Sequence, residues 1–430
     1  MNSIGARNEG KMMGYLAKYL VGLFCLAILA GPLAAKVDLD RGFLFGKVTM
    51  KNGDTYTGML RWGKEEAFWG DMFNTTKIEN ETSDYMSRSD LRKVRKNQNF
   101  GQRVSGFFNR LFGKRRYRND LVKHQFICRF GDIRKLTMRR GKRVTLELKN
   151  KDIVEVKGGS NDIGTKIHVL DKKAGKISVR WDRIRSIEFL STPEDFGVSF
   201  GSPLFGTVKT HSGSFKGFIQ WDHEECLSTD LLNGETSNET DIDIEFGDIS
   251  EIRKYGRGSK VTLHSGKSHY VYGTNDVNDD NRGIVINDIN LGKVLVEWDE
   301  FISVRFERSP EVLIPNYEDY PENRVLTGTI RTRGNEILSG RLIFDLDETT
   351  DIEMLEGIGD GISYYIPFRN ISKIVPRGDY SRVFLKNGEK LELEDGRDVS
   401  NDNDGVLIWH DGKKKPVYVP WRKVRELQFN

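Results

Sequence analysis

Apolar and polar residues alternate with a period of two along much of the chain. Runs such as residues 294–298 (VLVEW) and 417–419 (VYV) put their apolar side chains on one face of an extended strand. Glycines separate these runs, at positions where a positive φ or a sharp bend is expected. The pattern therefore predicts an all-β protein made of many short strands.

The alternating runs recur three times. The copies begin with LFGKV at residue 44, LFGTV at residue 204 and LTGTI at residue 326. Each copy continues through two glycines to a large aromatic residue, and a glutamate follows four residues later. The glycines are Gly53 and Gly58, Gly213 and Gly217, and Gly334 and Gly340; the aromatic residues are Trp62, Trp221 and Phe344; the glutamates are Glu66, Glu225 and Glu348.

A second half follows in each copy. It opens with VTL or VFL, passes an Asp/Asn-rich loop, and reaches a tryptophan that lies eight residues before a phenylalanine. These pairs are Trp181 and Phe189, Trp298 and Phe306, and Trp421 and Phe429. Fixed offsets of this kind predict three tandem repeats, each of two halves. The aromatic residues of the repeat are expected to fill the core.

The repeats define the expected domain organisation. We predict a signal peptide over residues 1–35, repeat 1 over 36–190, a linker over 191–203 and repeat 2 over 204–307. A linker with three prolines follows over 308–324, and repeat 3 covers 325–430. The stretches 36–190, 204–307 and 325–430 are called segments 1, 2 and 3 below.

Each half-copy has about 50 to 60 residues and four or five short strands, the size of a minimal small barrel or two-layer sheet. In segment 2 the order of Leu204, Gly206, Gly217 and Trp221, followed by the ISEI run at 249–252, resembles the Sm-like small β-barrels. This resemblance implies that a strongly bent antiparallel meander closes on itself in every half. It carries no diagnostic ligand motif, and we identify no characterised family across the chain.

The N-terminus has the layout of a secretory signal. Basic residues precede a short apolar stretch over 19–30, and Gly31-Pro32 then ends the expected signal helix before the small residues of LAA. The alternative is a retained membrane anchor, although 17 residues containing a proline lie at the lower limit of a membrane span. We therefore expect an exported protein, periplasmic or extracellular and associated with the cell envelope.

Segment 1 contains an insertion of about residues 75–123 that the other copies lack. Residues 88–123 hold twelve Lys/Arg against two acidic residues. Apolar residues recur there at helical spacing, which predicts a basic amphipathic helix that contacts a membrane surface or an anionic polymer. A protein partner, or a helix packed on its own barrel, are the alternatives. The candidate contact residues are Phe100, Arg103, Phe107, Phe108, Arg110, Leu111, Phe112, Lys114, Arg115 and Arg116.

Candidate chemistry is sparse. The Asp/Asn-rich loops suggest Ca²⁺ ligands, with Asp276, Asp279, Asp402 and Asp404 as candidates, but their spacing differs from that of a standard calcium loop. The same residues are typical of tight turns, so we predict no metal site and no cofactor. Motifs of hydrolases, metalloproteases and nucleotide-binding enzymes are absent from the sequence.

The sequence therefore predicts a non-catalytic exported repeat protein that acts as a binding or scaffolding module of the cell envelope. Export argues against a nucleic-acid partner. The alternative is an extracellular carbohydrate-binding protein or hydrolase with a groove lined by aromatics such as Trp69 and Trp409, the two tryptophans outside the repeated positions.

Overall fold

The computed structural model describes the greater part of the chain after residue 38. The described residues are 39–78, 82, 85, 86, 89, 125–158, 162–194, 196–236, 238, 240–309, 315–410 and 412–430. The predicted signal peptide and all ten candidate contact residues of the insertion lie outside this set. Every described residue belongs to one compact unit, Leu39–Asn430.

The protein is all-β, as the alternation predicts. Segment 1 contributes β1 (Phe45–Met50), β2 (Thr55–Trp62), β3 (Met72–Lys77), β4 (Gln125–Arg129), β5 (Ile133–Met138), β6 (Arg143–Leu148), β7 (Ile153–Lys157), β8 (Ile167–Asp171), β9 (Gly175–Val179) and β10 (Ile184–Phe189). Segment 2 contributes β11 (Phe205–Thr210), β12 (Ser214–Gln220), β13 (Leu231–Glu235), β14 (Asp241–Glu245), β15 (Ile249–Tyr255), β16 (Gly258–Leu263), β17 (Ser268–Val271), β18 (Ile284–Asp288), β19 (Gly292–Val296) and β20 (Phe301–Phe306).

Segment 3 contributes β21 (Thr327–Thr332), β22 (Ile337–Ile343), β23 (Met354–Gly359), β24 (Ile362–Pro367), β25 (Ile371–Pro376), β26 (Tyr380–Leu385), β27 (Lys390–Glu394), β28 (Val406–His410), β29 (Val417–Val419) and β30 (Val424–Phe429). The helical segments with defined bounds are 3-10 turns of three or four residues. They are Leu39–Gly42, Phe130–Asp132, Arg140–Lys142, Trp181–Arg183, Phe246–Asp248, Tyr317–Asp319, Phe368–Asn370, Arg397–Val399 and Trp421–Lys423. Within the described part of the chain, no helix has the length and apolar character needed to cross a membrane.

The strands of each segment pair in the same antiparallel order. In segment 1 the order is β4-β3-β7-β6-β5-β10-β1-β2-β8-β9. Segment 2 repeats the eight-stranded part as β17-β16-β15-β20-β11-β12-β18-β19, and its β13–β14 hairpin forms a separate two-stranded sheet. Segment 3 follows as β24-β23-β27-β26-β25-β30-β21-β22-β28-β29. Strand β19 also pairs with β24 and joins the sheets of segments 2 and 3.

The prediction that each half-copy forms its own closed barrel is wrong. Strand β10 of the second half lies between β1 and β5 of the first, and β8 pairs with β2. Strands from the two halves therefore share one sheet, and neither half can close on itself. Over the described residues the sheets are large, antiparallel and open, because long-range pairing between halves replaces the local closure that the Sm-like resemblance implies.

The repeated aromatic residues lie in the core, except that Trp181 is only half-buried at its edge. Trp62, Trp221 and Phe344 are fully buried, and each contacts the second aromatic position of its own segment edge to face. The ring centroids are 5.6 Å apart for Trp62 and Trp181, 6.1 Å for Trp221 and Trp298, and 5.5 Å for Phe344 and Trp421. These contacts join the end of the second strand to the turn before the last strand, so they hold the two halves of each segment together.

The second glycine of each copy is required by close strand packing rather than by a turn. Gly58, Gly217 and Gly340 lie inside β2, β12 and β22, opposite a neighbouring strand. A Cβ atom there would meet the carbonyl oxygen of that strand far inside van der Waals contact. The distances would be 2.0 Å to Leu170, 2.5 Å to Asn287 and 2.0 Å to Trp409. The first glycine of segment 1, Gly53, does have a positive φ (+101°), as expected for a turn.

Gly217→Ala is expected to destabilise the protein by about 1–3 kcal/mol, because the added methyl group must push β18 away from β12. The matched control is Gly213→Ala in the preceding turn, where an added Cβ has nothing within 4 Å. It should change stability by less than about 0.5 kcal/mol. Urea unfolding of both variants measures the difference. Equal midpoints for the two would contradict the close-packing explanation.

Candidate functional site: carboxylate clusters at the seams between segments

The recurrent glutamates are positioned by a tight turn after the first aromatic residue. The backbone N–H groups of Trp62, Trp221 and Phe344 donate to the carbonyl oxygens of Glu66, Glu225 and Glu348 at 2.7, 2.7 and 2.9 Å. Each glutamate N–H donates back to the aromatic residue. The turn is thus fixed by backbone bonds, which leaves the glutamate carboxylates available for other contacts.

A second carboxylate follows five residues after each glutamate. Asp71 accepts the N–H groups of Ala67 and Phe68, both at 2.8 Å. Asp230 and Glu353 accept the equivalent pairs of N–H groups in segments 2 and 3, at 2.8 to 3.0 Å. The sequence reasoning missed these acids, although their constant offset from the glutamates could have identified them.

The Asp/Asn-rich loop brings a third carboxylate to the same place. Asp162, Asp276 and Asp398 accept the backbone N–H groups of Asn74, Asn233 and Glu356. In segments 1 and 2 the carbonyl of this aspartate also accepts the indole N–H of the buried tryptophan, at 2.8 Å. We define cluster 1 as Glu65, Glu66, Asp71 and Asp162, cluster 2 as Glu224, Glu225, Asp230 and Asp276, and cluster 3 as Asp347, Glu348, Glu353 and Asp398.

Clusters 2 and 3 each bind a cation from another segment, and cluster 1 acts electrostatically on one. Arg61 of segment 1 donates two hydrogen bonds of 2.8 Å to the Asp230 carboxylate of cluster 2. Lys77 of segment 1 binds Asp347 at 3.1 Å and forms an ion pair with Glu353 in cluster 3. Cluster 1 acts on Lys293 of segment 2: burial lowers the pKa of this ammonium, and the negative charge of the cluster partly opposes the effect. The clusters therefore lie on the seams between segments.

Burial makes the three turn glutamates hard to ionise, because it raises the pKa of their carboxyl groups. Desolvation, with the nearby charge of Asp276 as the next largest cause, raises the pKa of Glu225 to about 8. Desolvation also raises the pKa of Glu66 and Glu348, with Asp162 and Asp398 as the next largest causes. In all three segments the loop aspartate is thus the strongest repulsive neighbour of the turn glutamate. Such crowding is relieved either by protons or by a cation.

Cluster 1 has closely spaced carboxylate oxygens and cluster 3 has a small cavity, and both features are relevant to cation binding. In cluster 1, one carboxylate oxygen from each of Glu65, Glu66 and Asp162 lies within 4.8 Å of the others; among the described residues no other such trio of acidic, His or Cys side chains occurs. At cluster 3 a cavity of about 50 Å³ opens between the segments. Carboxylate oxygens at this spacing suit a hard divalent ion.

The four aspartates considered as Ca²⁺ ligands from the sequence do not lie together in one site. Asp276 belongs to cluster 2, and Asp404 pairs with Arg397 beside cluster 3. Asp279 is exposed and Asp402 is half-buried. Each Asp/Asn-rich loop therefore contributes one carboxylate to a cluster that also contains the turn glutamate. The spacing of residues within the loop does not reveal that these two carboxylates lie near each other.

The two tryptophans outside the repeat do not line an open groove. Trp69 is fully buried and packs on Phe189 and Tyr317, so it is a core residue rather than a sugar-binding one. Trp409 is half-buried: Tyr85 contacts its ring with centroids 5.3 Å apart, and the Arg341 guanidinium lies 5.0 Å from the ring centroid.

Comparison with known proteins assigns no family. No protein-family model matches the chain, and no curated protein matches it. Among solved structures, one titled "Streptogramin B lyase structure" aligns with 70% of this chain and 94% of its own, at 10% sequence identity and a TM-score of 0.14. A TM-score this low carries no argument about fold or function.

Arg61→Leu is expected to destabilise the protein by about 3–5 kcal/mol, because it leaves the Asp230 carboxylate at the seam without its cation. The Arg61 and Asp230 side chains are only 16% and 13% exposed. Arg180→Leu is the matched control, since Arg180 pairs with Asp182 at 3.1 Å but both side chains are more than half exposed. Its effect should stay below about 1 kcal/mol. Denaturant unfolding compares the two, and equal losses would contradict a structural role for the seam pair.

Glu348→Gln should make stability less dependent on pH. Because folding raises the pKa of this carboxyl, its protonated form stabilises the fold at low pH, and the contribution is lost as pH rises toward the raised pKa. Relative to the parent chain, the variant should therefore become more stable as the pH is raised from 5 to 8. Urea unfolding in EDTA measures the gain, with the exposed Glu245→Gln as control. A pH-independent difference would contradict the raised pKa.

Proposed function

We propose that the chain is a non-catalytic exported protein that acts as a binding or scaffolding module of the cell envelope, and that its basic segment, residues 88–123, contacts an anionic membrane surface. The observation that carries the non-catalytic part is the use of the recurrent acids. Each cluster contains a carboxylate capped by backbone N–H groups, and clusters 2 and 3 also bind a cation from another segment. The carboxylates of the clusters could serve as general acids or bases in an enzyme. In this protein we propose that they hold the segments together.

The small size of the cavity at cluster 3 also supports a non-catalytic role. At about 50 Å³ it is far smaller than the roughly 300–1,000 Å³ of typical small-molecule sites. A cavity of this size admits an ion or a few water molecules, but it does not admit a sugar ring or a peptide. The alternative, a carbohydrate-binding protein or hydrolase, loses its main support because Trp69 is buried and Trp409 is covered by Tyr85.

The position of the basic segment supports surface display. It lies in the connection between β3, which ends at Lys77, and β4, which begins at Gln125. The equivalent hairpins β13–β14 and β23–β24 are closed by residues 236–240 and 360–361. A hairpin connection tolerates a long insertion because it adds little strain to the paired strands. The twelve Lys/Arg of residues 88–123 are thus carried on a connection that the fold does not require to be long.

Flotation with phosphatidylglycerol-containing vesicles tests the membrane contact. The full chain should float with these vesicles and remain at the bottom with neutral phosphatidylcholine vesicles, because basic residues near a membrane gain about 1 kcal/mol each from anionic lipid. One variant replaces residues 78–124 with the short loop of segment 2, residues 236–240. A second keeps the length but changes the twelve Lys/Arg of 88–123 to Gln.

Both variants should lose flotation, and the Gln variant, which keeps Tyr85 on Trp409, should unfold in urea at the same midpoint as the parent chain. Equal flotation of parent and variants would refute the role of this segment. Failure of the parent to float with any anionic vesicle would refute the membrane contact itself.

A further inference from the structure

The outer face of the sheet in segment 2 carries two tyrosines in contact with each other. Tyr255 ends β15 and Tyr270 lies on β17, and the two residues are 55% and 44% exposed. Their ring centroids are 5.0 Å apart, and the ring planes are tilted by 47°. Single exposed apolar side chains are ordinary, whereas adjoining ones form a surface that a partner can cover.

Lys260 of β16 lies beside this pair, with a cation rather than an acid on its other side. It is directly opposite Tyr270 on β17 and Arg253 on β15. The guanidinium of Arg253 pairs with Glu251 at 2.6 Å, whereas Lys260 forms no ion pair within the described residues. Like charges directly opposite each other in a sheet repel, so this arrangement does not stabilise the fold by itself.

The position of Lys260 is neutralised or uncharged in the other two segments. Strands β6, β16 and β26 pair with their preceding strands in the same register, so their residues correspond. In segment 3 the position is Arg382, which pairs at 2.8 Å with Glu392 opposite it on β27. In segment 1 it is Thr145, whose hydroxyl donates at 2.6 Å to Glu155 opposite it on β7. Segment 2 thus has a tyrosine where the other two have a glutamate.

Positive charge extends across the same sheet of segment 2. Strands β11, β15, β16 and β20 contain one acidic residue, Glu251, and five basic ones: Lys209, Arg253, Lys254, Lys260 and Arg305. Lys254 donates to the carbonyl oxygen of Trp298, whereas Lys209 and Arg305 are exposed. A ligand that fits this face is therefore negatively charged.

We propose that this face binds an acidic polysaccharide, with Tyr255 and Tyr270 against its sugar rings and Lys260 beside its carboxylate groups. A tyrosine ring presents a flat apolar face of partial negative charge, which suits the C–H groups of a sugar, while its hydroxyl stays in water. Because the two rings are inclined to each other, they suit successive sugar units joined at an angle rather than a parallel stack of nucleic-acid bases.

This inference names a partner for the proposed binding role, and it rests on the proposed location in the cell envelope, where an exported protein meets such polymers. The surface is an open sheet face within segment 2. It is therefore separate from Trp69 and Trp409, and it does not involve the basic segment, residues 88–123.

Biolayer interferometry of the full chain on immobilised polygalacturonate tests the proposal, with uncharged dextran as the neutral polymer. The variant with the twelve Lys/Arg of 88–123 changed to Gln is measured beside the parent, because a basic segment can attract an acidic polymer without this face. Both chains should bind polygalacturonate, and neither should bind dextran.

Tyr255→Ala combined with Tyr270→Ala should weaken binding about tenfold, as expected when two ring contacts are lost. Lys260→Gln should weaken binding and make it less sensitive to salt. The matched controls are Ile153→Ala, at a residue of β7 that is 56% exposed, and Arg382→Gln, at the position of Lys260 in segment 3. Both controls should bind as the parent does, and the urea midpoint of the tyrosine variant should show that it is folded.

Four outcomes would overturn the proposal. The parent chain could fail to bind polygalacturonate, or its binding could be lost in the Gln variant of 88–123 and unchanged in the tyrosine variant. Tighter binding of oligo(dT) than of polygalacturonate would assign the face to single-stranded nucleic acid. A dimer that the tyrosine variant does not form, measured by analytical ultracentrifugation, would assign it to a second copy of the chain.

Vesicle flotation separates failure of this inference from failure of the proposed function. The tyrosine variant should float with phosphatidylglycerol-containing vesicles as the parent does. A parent chain that floats but does not bind polygalacturonate would keep the membrane contact and refute the polysaccharide site.

Discussion

Burial of carboxylates between segments is the constraint on which the rest of the structure depends. A carboxylate taken out of water needs hydrogen-bond donors and positive charge, or else it binds a proton. Here the donors are local: the N–H groups of Ala67 and Phe68 hold Asp71, and equivalent pairs hold Asp230 and Glu353. Part of the positive charge comes from another segment: Arg61 binds Asp230, and Lys77 binds Asp347 and Glu353. These ion pairs hold segment 1 against segments 2 and 3.

The three clusters differ in the cation that a neighbouring segment places beside their carboxylates. Cluster 2 receives a guanidinium that makes two parallel hydrogen bonds, the strongest arrangement for a carboxylate. Cluster 3 receives the single ammonium of Lys77, which reaches two carboxylates and leaves others unpaired. The same turn geometry is thus paired with two guanidinium groups in cluster 2, those of Arg61 and Arg282, and with the ammonium of Lys77 in cluster 3. The clusters therefore differ in their ion pairs because different residues of the adjacent segments contact them, and not because the repeated carboxylates differ.

The open sheets make these seams possible. Because β10 lies between β1 and β5, the two halves of segment 1 share one open sheet instead of forming two closed barrels, and the equivalent strands of segments 2 and 3 pair in the same order. One edge is used directly, since β19 pairs with β24 across segments 2 and 3. The hairpin of segment 1 uses its side chains instead: Met72 and Ile127 pack on Met354 and Tyr365 of the equivalent hairpin in segment 3. Closed barrels would have offered no edge for the first of these contacts.

The sequence by itself determined the strand content, the aromatic core positions and the recurrence of the turn glutamates. These features depend on local alternation and on fixed offsets, which a single chain displays directly. It also showed that Gly58 is special, but gave the wrong reason, since the carbonyl of Leu170 that forbids a side chain there comes from a strand more than a hundred residues away. The pairing of β10 and the ion pairs of Lys77 with Asp347 and Glu353 were decided by the tertiary structure alone. They depend on contacts between distant parts of the chain, and alternation and spacing contain no information about which strands or charges meet.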